Sequence, residues 1–180
     1  MTVTAAMSAQ ATIPVEQAVG MVLPHDITEI VRDSFKGRAF KKGHIIREQD
    51  VDHLRRLGKE HIYVLRLGPD EIHENEAALQ LAAALAGSGV GYAPEVVEGK
   101  VSLRATADGL LRVDREALFR FNLLGEVMCA TLQDHTPVRE GEVVAASRLI
   151  PLVGMRQLVA EAAAIGRAAG GVVRVLPLAR

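Results

Sequence analysis

Three groups of residues have types and spacings that could do chemistry. The first is cationic: Lys36, Arg38, Lys41, Lys42, His44 and Arg47 surround Gly37 and Gly43, with no acid between Asp33 and Glu48. Glycine-flanked backbone among lysines can receive a phosphate or another oxyanion. Lys41, Lys42 and His44, joined by Lys100 from the later phrase Glu98-Gly-Lys100, are therefore candidate oxyanion ligands. The competing reading is a solvated strand edge, which lysine makes unattractive to other strands. The second group is His73-Glu-Asn-Glu76, which puts an imidazole and a carboxylate on one helix face, a spacing able to hold a divalent metal. Position 77 is alanine, so the paired histidines of zinc proteases are absent, and Glu74 and Glu76 equally suit the positive end of a helix dipole. His73, Glu76 and Glu98 around a metal form the alternative to oxyanion binding. The third group, Gly87-Ser-Gly-Val-Gly91, follows a helix rather than a strand and lacks dinucleotide-fingerprint spacing, so it reads as a flexible helix exit.

Other reactive arrangements are missing. The sequence contains neither a Gly-x-Ser-x-Gly elbow nor a Walker-type Gly-Lys-Ser/Thr. Its one cysteine, Cys129, lies within the apolar stretch Glu126–Leu132 and reads as core; with no second thiol in the chain, a reducing, cytoplasmic setting fits best. The net charge of -1, with both signs spread along 180 residues, gives no reason to expect a nucleic-acid or anionic-membrane partner. The stretch from Ala77 to Pro94 lacks formal charge but is built of Ala, Gly and Ser, too weakly apolar for a membrane span. The first Lys or Arg is Arg32, so no basic region of a secretory signal precedes it.

The elements that must position these groups follow from periodicity and punctuation. Residues 1–12 read as a mobile tail, Pro14–Ala18 as a helical turn, and Met21–Ile30 as a strand edged by Pro24. The glycines around Ser34–Gly43 suggest strands that double back. Val51, Leu54 and Leu57 recur at helical spacing, Gly58 stops that helix, and His61–Leu65 follows as a strand. A longer helix spans about Glu74 to Ala86, with Ala78, Leu81, Ala82 and Leu85 as its stripe. Beyond Pro94, Val101–Thr106 alternates, Asp108-Gly109 signals a tight turn, and Leu110–Val113 is expected to return antiparallel as a hairpin. Asp114 can cap a helix through Phe121, and Glu126–Leu132 and Gly141–Leu152 read as strands. A last helix, Met155–Ala169, closes at Gly170-Gly171 before Val172–Val175, which looks like the entrance to a further domain. The phrases Ala39-Phe-Lys-Lys-Gly-His-Ile-Ile46 and Pro137-Val-Arg-Glu-Gly-Glu-Val-Val144 share an apolar entry, a charged pair, a glycine turn and a β-branched exit. Eight positions do not by themselves make a repeat.

The order of several phrases resembles the MoeA/gephyrin-related molybdopterin-binding proteins. They are Pro14–Thr28, Lys42-Gly-His-Ile-Ile46, Leu54–Val64, Glu71–Ala78, Glu98-Gly-Lys-Val101, Asp108-Gly-Leu-Leu111 and Arg148-Leu-Ile-Pro-Leu152, which together cover most of residues 13–152. The resemblance implies an α+β fold of small β-rich, β-clip- or barrel-like units with a few packed helices. It also implies a mixed unit over 13–92, a β-rich unit over 93–154, and a helix and strand over 155–180 leading to a C-terminal α/β pterin-binding domain. Molybdotransferases proper carry a Pro-x-x-x-Ser-x-Met-Asp-Gly-Tyr-Ala stretch where this chain reads Arg32-Asp-Ser-Phe-Lys-Gly-Arg-Ala39, so no catalytic residue carries over. The functional expectation is a non-catalytic, homodimeric binding and assembly module in molybdenum-cofactor handling, with molybdopterin or molybdate as ligand. The alternatives are a metal-dependent enzyme or sensor and a ligand-free dimerisation scaffold.

Overall fold

The computed structural model describes residues 9–31 and 35–178. The chain is mixed α+β and divides into two compact units, Met1–Pro69 and Asp70–Arg180. Residues 1–8 of the expected tail, and Arg32 to Ser34 of the divergent stretch, lie outside the described residues.

In unit 1, β1 (Ala9–Pro14) pairs antiparallel with β4 (His61–Arg66) along its whole length, from Ala9 opposite Arg66 to Pro14 opposite His61. Residues 9–12 are therefore strand and not tail. Their alternation is too short to stand out in the sequence, and the pairing partner lies far along the chain. After a 3-10 turn at Val15–Ala18, the expected strand over 21–30 splits in two. Val22 bridges both Ile45 and Leu65, and β2 (Ile27–Val31) begins only beyond Pro24, whose missing N–H interrupts the ladder. Strand β3 (Phe35–Phe40) doubles back on β2, as the glycine punctuation suggests. Helix α1 (Val51–Arg56) follows, and Gly58, at φ 73°, takes the left-handed conformation that ends it. Val15, Leu23, Phe40, Ile46, Leu54, Ile62 and Val64 form the core of this unit.

Unit 2 holds a four-stranded sheet in the order β6 (Val90–Tyr92), β7 (Lys100–Ala105), β11 (Val143–Leu149), β9 (Val127–Thr131). A three-stranded sheet runs β10 (Pro137–Val138), β8 (Gly109–Val113), β13 (Val173–Pro177), and β5 (Glu71–His73) pairs with β12 (Val153–Met155). Helix α2 (Glu74–Leu85) buries Ala78, Leu81, Ala82 and Leu85, the stripe its spacing predicts, and also Ala77 and Ala84. It packs on α4 (Arg156–Ala168) so closely that a Cβ at Gly166 would lie 2.5 Å from the Ala84 carbonyl oxygen. Helix α3 (Arg115–Asn122) is capped by Asp114, whose carboxylate accepts the Ala117 N–H at 2.9 Å.

Two sequence expectations fail in unit 2. Strands β7 and β8 both form, but not as a hairpin: β6 and β11 take both edges of β7, while β8 pairs with β10 and β13. Gly109 is there for close approach, since a Cβ on it would meet the Leu176 carbonyl oxygen at 2.3 Å. The glycine string after α2 is likewise a close-packed seam and not a loose exit. Gly87 donates its N–H to Val173, and a Cβ at Gly89 would sit 2.3 Å from the Val175 carbonyl oxygen. Strand β13 is thereby an integral strand of unit 2, with Val173 and Val175 fully buried. Helix α2 belongs to unit 2, which begins after Pro69.

The two similar phrases fold alike. In unit 1 the Gly43 N–H bonds the Leu23 carbonyl at 2.8 Å, His44 N–H bonds Lys41, and Lys42 N–H bonds Asp26 Oδ1 at 2.7 Å. In unit 2 the Gly141 N–H bonds Ala105 at 2.8 Å, Glu142 N–H bonds Arg139, and Glu140 N–H bonds Asp108 Oδ1 at 2.8 Å. Gly43 and Gly141 share φ near +80°, at 83° and 81°. The register also matches, with Ile27 opposite Phe40 in one unit and Gly109 opposite Val138 in the other.

Candidate functional site

The Lys41–His44 turn is held from two sides. Asp26 accepts the Lys42 N–H and an Arg38 guanidinium N–H at 3.2 Å; these two contacts, the backbone one first, hold its carboxyl below the usual Asp value. On the other side His44 Nε2 lies 2.7 Å from Asp50 Oδ2, which also accepts the Arg47 N–H at 2.8 Å. Burial works to raise the Asp50 pKa, but the His44 and Arg47 contacts together outweigh it, and the carboxyl ends below its ordinary value. Phe40 fills the space behind, with the rings of His44 and His53 each 5.1 Å from its own. His53 in turn lies 3.2 Å from Glu29. Lys41 and Lys42 remain exposed, as a solvent-facing cationic turn requires.

Asp26 also lines a shallow depression in the same unit, of about 260 Å³. Its other polar walls are His25, Thr28, Lys59, His61 and Tyr63. His25 and Tyr63 stack with centroids 5.5 Å apart and planes 11° from parallel, which gives the depression a flat aromatic border. Strand β4 supplies His61 and Tyr63 as outward-facing positions alternating with buried Ile62 and Val64. The chemistry available is stacking on one border and cationic or hydrogen-bonding groups beside it. The sequence reading missed His25, Lys59, His61 and Tyr63 as site residues. All four lie in the phrases that carry the family resemblance, but only the pairing of β4 and the course of the chain through Val22 to Asp26 bring them together.

The other expected site residues lie in unit 2. Lys100 is exposed at the start of β7, opposite Arg148. It follows a two-residue turn in which Glu98 and Gly99 both have positive φ, 52° and 69°, between the bridged residues Val97 and Lys100. His73 is buried, and its Nδ1 accepts the Asn75 N–H at 3.2 Å as the cap of α2. Glu76 is half exposed and pairs with Arg156 at 2.9 Å. Among the described residues there is no group of three or more His, Cys, Asp or Glu side chains placed to hold a metal. Asn122 serves the fold: its amide bonds both the N–H and the carbonyl of Cys129, at 2.8 and 3.0 Å, and so occupies the outer edge of β9. Cys129 is buried, and burial pushes its thiol up to about 12. No helix among the described residues is long and apolar enough to cross a membrane.

Comparison with known proteins places residues 12–66 in a match to a family model described as "Domain of unknown function (DUF8806)". That span covers the depression, the cationic turn, strand β4 and the last three residues of β1. No curated protein and no solved structure matches the chain.

Proposed function

We propose that this chain is a ligand-binding and assembly module in molybdenum-cofactor handling, without a catalytic centre of its own, and that unit 1 forms one wall of a site for molybdopterin or molybdate. The observation that carries the reading is the unit 1 depression, where the stacked His25–Tyr63 pair borders Lys59, His61 and Thr28. A planar fused heterocycle gains from stacking on such a border. An oxyanion gains from Lys59, and from Lys41 and Lys42 on the turn that Asp26 ties to the depression. The phrase order over residues 13–152 supports the choice of ligand, and by that resemblance an α/β pterin-binding domain completes the site in a homodimer. The single buried cysteine accords with a reducing, cytoplasmic setting.

The metal-dependent alternative has less behind it, because His73 and Glu76 are each engaged in unit 2 by α2's cap and by Arg156. Calorimetric titration with molybdate, and separately with molybdopterin, tests the proposal. Saturable binding that weakens in Lys59→Gln and Tyr63→Ala is the expected result. Uptake of neither ligand by the folded chain, both alone and joined to a C-terminal α/β pterin-binding domain, ends the molybdenum reading.

A further inference from the structure

We propose that unit 2 carries a separate binding site for a phosphate monoester, formed by Arg112, Arg115 and Arg174. Strands β8 and β13 place Arg112 directly opposite Arg174. Both point away from the core, because the alternate residues Leu111, Val113, Val173 and Val175 are buried on the other face. Like charges facing each other across a strand pair destabilise it unless something neutralises them. Arg115, just beyond β8, lines the same depression of about 420 Å³, together with Asp114 and Leu176.

The carboxylates nearby answer Arg112 but leave Arg115 and Arg174 without a counter-charge. Asp114 Oδ1 accepts the Ala117 N–H as the cap of α3. Asp134 touches Arg112 at 3.3 Å, but the same oxygen accepts the Val113 N–H and its other oxygen lies 3.1 Å from His135. Among the described residues, Arg115 and Arg174 form no ion pair. The excess of cations is local, since the whole chain has a net charge of -1. Arg174 is also positioned: its stem crosses Gly87 so closely that a Cβ there would lie 2.5 Å from Arg174 Cγ. Guanidinium forks match phosphate oxygens bidentately, which suits a dianion better than a single carboxylate. The depression is larger than a phosphate needs, and Leu176 gives its wall an apolar part that an organic group can cover.

Calorimetry at constant ionic strength, with phenyl phosphate and inorganic phosphate as probes, decides the matter. Saturable binding of phenyl phosphate, tighter than that of inorganic phosphate, is expected. Arg174→Gln and Arg115→Gln should each weaken it by about tenfold, while Arg139→Gln, at an exposed turn of the same unit, leaves it unchanged. Thermal melts in chloride establish that the variants fold. The proposal is overturned by the absence of saturable binding, by equal affinity in folded Arg174→Gln and Arg115→Gln, or by inorganic phosphate binding at least as tightly as phenyl phosphate. This site shares no residue with unit 1, so its failure and the failure of the molybdenum reading are read separately.

Discussion

The turn at Lys41–His44 in unit 1 and the turn at Arg139–Glu142 in unit 2 have the same backbone hydrogen bonds, the same left-handed glycine and the same aspartate anchor. Their side chains differ in charge. In unit 2, Glu142 accepts the Arg139 N–H at 3.0 Å and Glu140 adds a second acid, so the turn carries its own counter-charges. In unit 1 those positions are His44 and Lys42, and the acid paired with the His44 side chain, Asp50, comes from outside the turn. Glycine and aspartate thus account for the shape of the turn, while the charge it displays is left open. The cores differ as well: unit 1 closes on one small apolar cluster, whereas unit 2 packs two sheets and the α2–α4 pair around a larger one.

The largest effects come from breaking each core. Phe121 and Leu54 are both fully buried, in unit 2 and unit 1 respectively. Phe121→Ala should cost about 3–5 kcal/mol and Leu54→Ala about 2–5 kcal/mol in urea denaturation, the spread reflecting how far each site can collapse. A loss below 1 kcal/mol at either position would contradict the packing described for that unit.

A smaller effect sharpens the equivalence of the turns. Gly141 has open space where a Cβ would go, so Gly141→Ala should cost only the left-handed backbone term, about 1–2 kcal/mol. Gly43→Ala should cost at least as much, and asparagine at either position should recover part of the loss. If Gly43→Ala proves neutral, the two turns are not equivalent.

The smallest effect is electrostatic and belongs to unit 1. Because the Asp50 pKa is lowered in the folded chain, the unfolded chain takes up this proton first as the pH falls. The stability that Asp50 contributes is complete above its ordinary value of 3.8 and is lost as pH drops through the lower folded value. In acid-melting curves, Asp50→Asn should remove that part of the slope while leaving the rest of the profile in place. A slope unchanged by the substitution would remove the role assigned to the His44–Asp50 pair.

Local structure was largely legible in the sequence. The stripe of α2, the Asp114 cap, the stop at Gly58 and the strands β4, β7, β8 and β9 all follow from side-chain periodicity, capping oxygens and glycine, whose effects act within a few residues. The cationic turn was legible for the same reason. Pairing was not. An alternating pattern says which face of a strand is apolar but not which strand lies beside it, so β7 and β8 looked like a hairpin while their partners were β11 and β13. The aromatic border of His25 and Tyr63, the opposed Arg112 and Arg174, and the strand character of Ala9–Thr12 all depend on such pairings. Sequence alone determined the element type of α2, α3, β4, β7, β8 and β9 and the glycine stop after α1. Only the tertiary structure decided which of them meet, because that choice is settled by burial and by the close approach that Gly87, Gly89 and Gly109 permit between distant segments.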